Sequence, residues 1–310
     1  MSLASFVRLA SRGVLRIEGP DARSFLQGLI SNDVGAVKPD HAVWAAFLTA
    51  QGKYLHDFFI CESGGALLLE AEAGRLADLK RRLSLYRLRS RVSIEEVGPA
   101  LSVWALTGEA AATQAGLASA SAGAAAPLGD GIVFIDPRLA AAGLRALLPG
   151  EAGEAALIAR GFERAQPGAY DALRIFLGLP DGSRDMLVEK SLLLECGFDE
   201  LGGIDWNKGC FLGQELTART RWRGLVKRRL LPMRVEGTIP QPGTPISVDG
   251  QTVGEVRSGA EGWALALLRL NALPAISEAD GVTVGEARLV PHVPVWAVLP
   301  GEAVPGEARP

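Results

Sequence analysis

DWNKGCFLGQELTARTRWRGLVKRR, residues 205–229, is the most chemically loaded stretch of this 310-residue chain. Lys208-Gly209-Cys210 sets a thiol beside an ammonium group and a flexible glycine. If Gly209-Cys210 opens the helix that 215–219 continues, the helix dipole also favours thiolate. Gly209 and Gly213 permit close backbone approach to a ligand. Gln214 and Glu215 supply an amide and a carboxylate, a pair suited to a heterocycle with neighbouring donors and acceptors. The plainer alternative is a buried structural cysteine in a tight turn. Downstream stand Arg219, Arg221, Arg223, Lys227, Arg228 and Arg229, with Trp222 among them. That pattern suits a nucleic-acid strand, a small polyanion or a solvated face. Trp206 and Trp222 flank the segment, to stack on a ring or to pack in a core.

Away from this segment the chain is ordinary. It carries 32 Lys+Arg against 35 Asp+Glu, a net charge of −3, so only a local basic patch could serve nucleic acid. With 48% apolar residues it can offset its ordering entropy, which excludes wholesale disorder. Its length suggests about two domains. Cys61, Cys196 and Cys210 are an odd set without CxxC spacing. With only His41, His56 and His292 beside them, they suggest free thiols in a reducing compartment rather than a disulfide or metal framework. The first thirteen residues lack the apolar core of a secretory signal, and no apolar run suffices for a membrane span. The expectation is a soluble cytoplasmic protein.

Residues 14–17 alternate as a strand, and 21–30 read as a helix opened by Asp21 as N-cap. A hairpin follows, 43–49 and 54–61, with a third strand at 66–70 and an amphipathic helix over 74–89. Cys61 falls on the strand alternation, so packing is expected of it. Cys196 lies in the loop leading into the 205–229 segment. The alanine-rich stretch 110–126 is read as either a helix or a loose excursion. Residues 157–177 look helical, interrupted at Pro167-Gly168. From about residue 230, short β-like runs (231–235, 245–248, 253–256, 263–270 and 282–290) alternate with turns, which suggests a small barrel or sandwich. The last ten residues read as a frayed tail.

Lys208-Gly209-Cys210-Phe211-Leu212-Gly213-Gln214-Glu215, continuing through Ala218-Arg219 and Arg223-Gly224, resembles the K-G-C-Y/F-x-G-Q-E signature of the YgfZ family. Those are folate-binding proteins of the aminomethyltransferase (glycine-cleavage T-protein) superfamily. Gly19-Pro20-Asp21, Phe25-Leu26-Gln27-Gly28 and Ser31-Asn32-Asp33-Val34 are similar to that family's N-terminal element. Gly52-Lys53 and Arg174-Ile175 with Gly178-Leu179-Pro180 fit it as well. The resemblance implies an α+β fold in a T-protein-like ring arrangement. Residues 1–230 would form a folate-binding region of two subdomains, and residues 231–310 a C-terminal β-barrel domain.

It also implies a tetrahydrofolate-binding accessory factor for iron–sulfur cluster assembly or repair. The partners would be assembly proteins or client four-iron enzymes, with neither a membrane nor nucleic acid as primary partner. Cys210 would be the functional thiol, with Lys208 beside it, acting as nucleophile, redox thiol or transient cluster ligand. Gln214, Glu215, Arg219, Asp57, Trp206 and Arg223 would hold tetrahydrofolate or a derivative, and the cations of 219–229 a polyglutamate tail. The alternative is a folate-dependent one-carbon transferase or demethylase, with Asp57, His56 or Glu215 as base. Two departures argue against aminomethyl transfer: His56 replaces one of the T-protein's adjacent aspartates, and Phe176 stands where a glutamate follows the Arg174 equivalent.

Overall fold

The run VWAAFL has no polar residue on either face, so its strand must be covered on both sides. It forms Val43–Leu48, and all six residues are buried. Trp44, Ala46 and Leu48 enter one core, while Val43, Ala45 and Phe47 enter another, the period-two sorting of a pleated strand. The neighbouring strand Tyr54–Ser63 sorts likewise, with Phe59 and Cys61 in the first core and Phe58 and Ile60 in the second. The structure is a computed structural model that describes residues 4–299.

Five antiparallel strands make the first sheet, in the order Val43–Leu48, Tyr54–Ser63, Ala66–Glu72, Arg12–Glu18 and Ser93–Glu96. Helices Ala22–Gln27 and Leu76–Leu85 bury their apolar stripes on its outer face. Its inner face packs on a six-stranded sheet ordered Glu163–Arg164, Ser5–Arg8, Ser102–Thr107, Leu144–Leu148, Gly131–Ile135 and Ala125–Leu128. The long loop after residue 178 fills the same core with Leu179, Met186, Leu193, Leu194, Phe198, Leu201 and Ile204. A third sheet of six strands follows: Pro245–Val248, Gln251–Ala260, Trp263–Arg269, Arg228–Glu236, Ala287–Pro291 and Val282–Val284. Its two edge strands lie against one another, which closes a small barrel around its own core. The fold is thus α+β with a C-terminal β-barrel.

Several sequence expectations are corrected. The first helix ends at Gln27 rather than residue 30, and Asp21 does not cap it. The Asp21 carboxylate instead accepts the Arg91 N–H at 2.8 Å, which holds it below the usual carboxylate range. The stretch 110–126 is only a five-residue helix, Ala111–Ala115, stopped by left-handed Gly116, and then the start of a strand. Residues 157–177 divide into the end of helix Gly150–Ala159, a connection, and helix Ala169–Phe176. The 282–290 run is two strands, folded back at Gly285 (φ 61°). The expected tail lies outside the described residues.

One buried ion pair ties helix Ala169–Phe176 to the barrel. Arg174 is wholly buried; its Nη1 donates to Asp185 Oδ2 at 2.7 Å and its Nη2 to Ser258 Oγ at 3.2 Å. Ser258 Oγ in turn donates to Asp185 Oδ1 at 2.5 Å. Removing one partner leaves the other charge buried and uncompensated. Arg174→Leu is therefore expected to cost about 3–5 kcal/mol, read as a lower urea midpoint at unchanged slope.

Candidate functional site

The signature loop rests on an aromatic pair. Phe198 stacks on Trp44 with ring centroids 3.8 Å apart. Gly203 passes so close that a Cβ there would lie 2.8 Å from Trp44 Cε3. From that point the loop is stitched to residues 27–32. Ser31 Oγ donates to the Gly203 carbonyl at 2.6 Å, and Asn32 Nδ2 to the Gly202 and Trp44 carbonyls at 2.8 and 2.7 Å. Asp205 N donates to the Ser31 carbonyl at 3.0 Å, and Leu212 N to the Gly28 carbonyl at 3.0 Å. The Ser31-Asn32-Asp33 element singled out in the sequence is thus the loop's anchorage.

Lys208 completes that anchorage. Its Nζ donates to three carbonyls, those of Gln27, Ile30 and Asn32, at 2.7, 2.6 and 2.8 Å. The Gln27 carbonyl ends a helix, where a cation is favoured. Burial pulls the ammonium down to about 8, with Asp33 and Asp205 opposing. All three of its hydrogens are therefore spent on the backbone. Phe211 also turns inward, 7% exposed and 5.3 Å from the Lys208 Nζ. Between these two anchors Cys210 faces solvent.

The helix begins at Gln214, four residues after Cys210, so the expected placement of the thiol at a helix N-terminus is corrected. Gly213 (φ 81°) precedes it and touches the hairpin rather than a ligand: a Cβ there would overlap the Thr49 carbonyl oxygen and lie 3.0 Å from Gly52 Cα. Gly209 (φ 91°) has open space around it. Gln214 Oε1 accepts the Phe211 N–H at 3.1 Å. Glu215 is exposed and pairs with Arg219 at 3.0 Å.

Asp57 and His56 lie apart from this loop, and Trp206 is bonded at its start. Asp57 is 3% exposed; its Oδ2 accepts the Trp44 indole N–H at 3.1 Å and its Oδ1 the Tyr54 hydroxyl at 2.8 Å. Burial raises its pKa, with Arg12 opposing. Among the described residues no hydrogen bond, ion pair or ring contact joins Asp57 to Trp206, Gln214, Glu215, Arg219 or Arg223. Strand alternation turns His56 to the opposite face, where its Nε2 meets Asp78 Oδ2 of helix Leu76–Leu85 at 3.0 Å. Trp206 donates its indole N–H to Asp199 at 2.7 Å, and Arg221 lies 4.4 Å over its ring. Phe176 joins Trp263 and His292 in an aromatic cluster on the barrel.

The basic run is largely committed to protein. Arg221 pairs with Asp199, Arg228 with Glu195 at 3.0 Å, and Arg229 with Glu200 and the Leu194 carbonyl. Of the six cations, only Arg223 and Lys227 lack such a partner among the described residues. The expectation of a free cationic strip is corrected accordingly. Cys196 ends the short helical turn Leu193–Cys196 and is buried where Cys210 is exposed, and burial pushes its thiol up to about 12. Cys61 is buried and its thiol is raised still further by the same cause.

Sequence reasoning missed a buried charge cluster behind Asp57. Arg12, Glu70, Arg138, Arg145, Asp136 and Tyr170 are all under one tenth exposed. Its only sequence signal is a charge inside an apolar strand, as in Leu144–Leu148 (LRALL), where Arg145 is the one polar residue.

Comparison with known proteins now bears on this geometry. Residues 227–299 match the model of the CAF17 C-terminal beta-barrel domain. The solved glycine cleavage system aminomethyltransferase T from Bartonella henselae superposes with a TM-score of 0.74 at 17% identity, covering 96% of this chain and 87% of that one. The iron–sulfur cluster assembly factor IBA57, mitochondrial, of Homo sapiens is 36% identical over 307 residues, covering 92% of this chain and 83% of that protein. Its Mus musculus counterpart is 35% identical over 287 residues, covering 84% and 76%. The chain belongs to the IBA57 family.

Both mammalian IBA57 proteins are mitochondrial by name, which overturns the cytoplasmic expectation. The IBA57-family chain shares its fold with an aminomethyltransferase, yet its hairpin carboxylate is enclosed and its exposed thiol sits elsewhere.

Two predictions test the assignments made for this IBA57-family site. Gly213→Ala adds both left-handed strain and overlap with the hairpin, and is expected to cost about 2–4 kcal/mol. Gly209→Ala adds strain alone, about 1–2 kcal/mol; paired urea melts separate the two. Burial, aided by Arg75, holds the His56 imidazole down to about 4. The unfolded chain takes up that proton near pH 6.5. Stability should therefore fall as pH drops from about 6.5 to 4, by up to about 3 kcal/mol. His56→Gln should flatten that part of the urea-midpoint profile.

Proposed function

We propose that this chain is an iron–sulfur cluster assembly factor that works through the Cys210 thiol, in partnership with assembly proteins or client four-iron enzymes. The observation that carries the reading is the position of Cys210. It is the only exposed cysteine of the three, held outward between two inward anchors, Lys208 and Phe211. The named function of the mammalian relatives supports the general role. The K-G-C-F-L-G-Q-E match supports the closer kinship with YgfZ proteins. The working unit is residues 1–230, which carry the loop, with residues 231–310 as a barrel domain braced by Arg174, Arg228 and Arg229.

An accessible thiol serves as nucleophile, redox group or transient ligand to a cluster in transfer. A single cysteine suits a passing cluster better than a resident one, which takes a four-cysteine set. Lys208 positions the thiol by fixing the backbone on its N-terminal side; Gly213 and Gln214 fix the other side.

Tetrahydrofolate does not fit the residues named for it. Asp57 is 3% exposed and each of its oxygens already accepts a hydrogen bond, from the Trp44 indole and the Tyr54 hydroxyl, so it offers a pterin no free carboxylate. Arg221 lies over the Trp206 ring, the Trp206 indole N–H is bonded to Asp199, and the Gln214 amide oxygen accepts the Phe211 N–H. No step is therefore routed through folate. The one-carbon transferase alternative lacks a placed base, since Asp57 and His56 are enclosed and Glu215 is paired on the surface.

The thiol reading has a direct test. Maleimide should alkylate the native protein once, at Cys210, while Cys61 and Cys196 react only after denaturation. In cells lacking the protein, Cys210→Ala at normal abundance should leave four-iron enzymes inactive. Full recovery of those enzymes by Cys210→Ala would refute the thiol mechanism.

A further inference from the structure

A cavity of about 170 Å³ opens where the end of strand Ser5–Arg8 meets the start of helix Ala169–Phe176. Four arginines line it, Arg8, Arg12, Arg145 and Arg184, against two carboxylates, Asp171 and Asp181. Behind the wall, Glu70 bonds to Arg12, the Asp57 carboxylate also acts on Arg12, and Asp171 is shared with Arg174. Arg12 and Arg184 are fully engaged: Arg12 with Glu70 and Asp181, Arg184 with Asp171 and Asp181. They stiffen the walls rather than offer free donors.

Arg145 differs. It is 2% exposed, its guanidinium carbon lies 4.9 Å from the Phe59 ring centroid and 4.5 Å from that of Tyr170, and its Nη2 donates to the Tyr170 hydroxyl. Its Nε and Nη1 have no hydrogen-bond partner. Glu70 Oε1 forms an ion pair with Nη1 at 3.7 Å, beyond hydrogen-bond reach, and Glu70 Oε2 is likewise without a hydrogen-bond partner. Tyr170 also accepts from Arg138 Nη2 at 3.2 Å, and among the described residues nothing accepts its own O–H. Burial raises the phenol pKa, so that hydrogen is retained. Two Arg145 donors and the Tyr170 hydroxyl hydrogen thus lie unpartnered at a cavity whose own carboxylates, Asp171 and Asp181, are already bonded to Arg12, Arg174 and Arg184, an arrangement that costs free energy until an acceptor arrives. The unpartnered Nε and Nη1 lie on the planar edge of the guanidinium, and that edge matches oxyanions.

We propose that this cavity binds one small oxyanion group, a phosphate or carboxylate, with Arg145 as its deep partner, Tyr170 as second donor and Arg8 at the rim. This site is separate from Cys210 and stands whether or not the thiol mechanism does. The test is calorimetric titration of the full chain with inorganic phosphate and, separately, succinate, at ionic strength matched with chloride. At least one should bind saturably at a single site. Phosphate alone would identify a phosphoryl ligand, and succinate alone a carboxylate ligand. Arg145→Lys, which keeps the charge and loses the planar edge, should weaken binding about tenfold or more. Arg8→Gln, on the exposed rim, should weaken it several-fold with the fold intact, and decides the matter if Arg145→Lys does not fold. Cys210→Ala should bind as the wild type does. Absence of saturable binding by both anions, or binding unchanged in folded Arg145→Lys and in Arg8→Gln, would overturn the proposal and leave the cavity to water.

Discussion

Trp44 has an indole N–H that must find an acceptor where no water reaches. Its strand is buried on both faces, and the side chain itself is wholly enclosed. Asp57 supplies the acceptor, which explains a carboxylate deep inside a hydrophobic core. Phe198 and Gly203 then pack on the ring face, and that contact draws the long loop across the sheet. The Trp44 carbonyl holds Asn32, which holds the loop from the other side. The path of the signature segment follows from where this one side chain lies.

Within that path, Lys208 and Cys210 take opposite roles although they are two residues apart. The ammonium is turned in and saturated by three carbonyls, while the thiol is turned out. Lys208 thus fastens the loop backbone to residues 27–32. The glycines divide similarly. Gly213 exists for close contact with the hairpin, whereas Gly209 supplies only an unusual backbone angle beside the thiol.

The same core explains how a T-protein-like fold departs from that enzyme's hairpin chemistry. His56 reaches outward to brace a helix, and Asp57 is spent on Trp44 and Tyr54. Phe176 joins a barrel surface cluster. Behind them, arginines and carboxylates pair in a buried network in which Arg145 Nε and Nη1 and Glu70 Oε2 have no hydrogen-bond partner. Function in this chain has two chemically distinct candidate locations, a surface thiol and a cationic cavity.

Short apolar, β-branched and aromatic runs bounded by turn residues by themselves determined the central hairpin, the third strand beside it and most barrel strands, because a strand covered on both faces carries its burial in its own residues. The signature octapeptide determined which cysteine to examine. Only the tertiary structure decided what the polar residues do. The partners of Lys208 come from residues 27–32, those of Arg221, Arg228 and Arg229 from residues 194–200, and those of Arg174 from the barrel. A charge in a sequence states only what it can bond. Whether it is spent on the fold or left for a ligand depends on which distant carbonyl or carboxylate the chain folds against it.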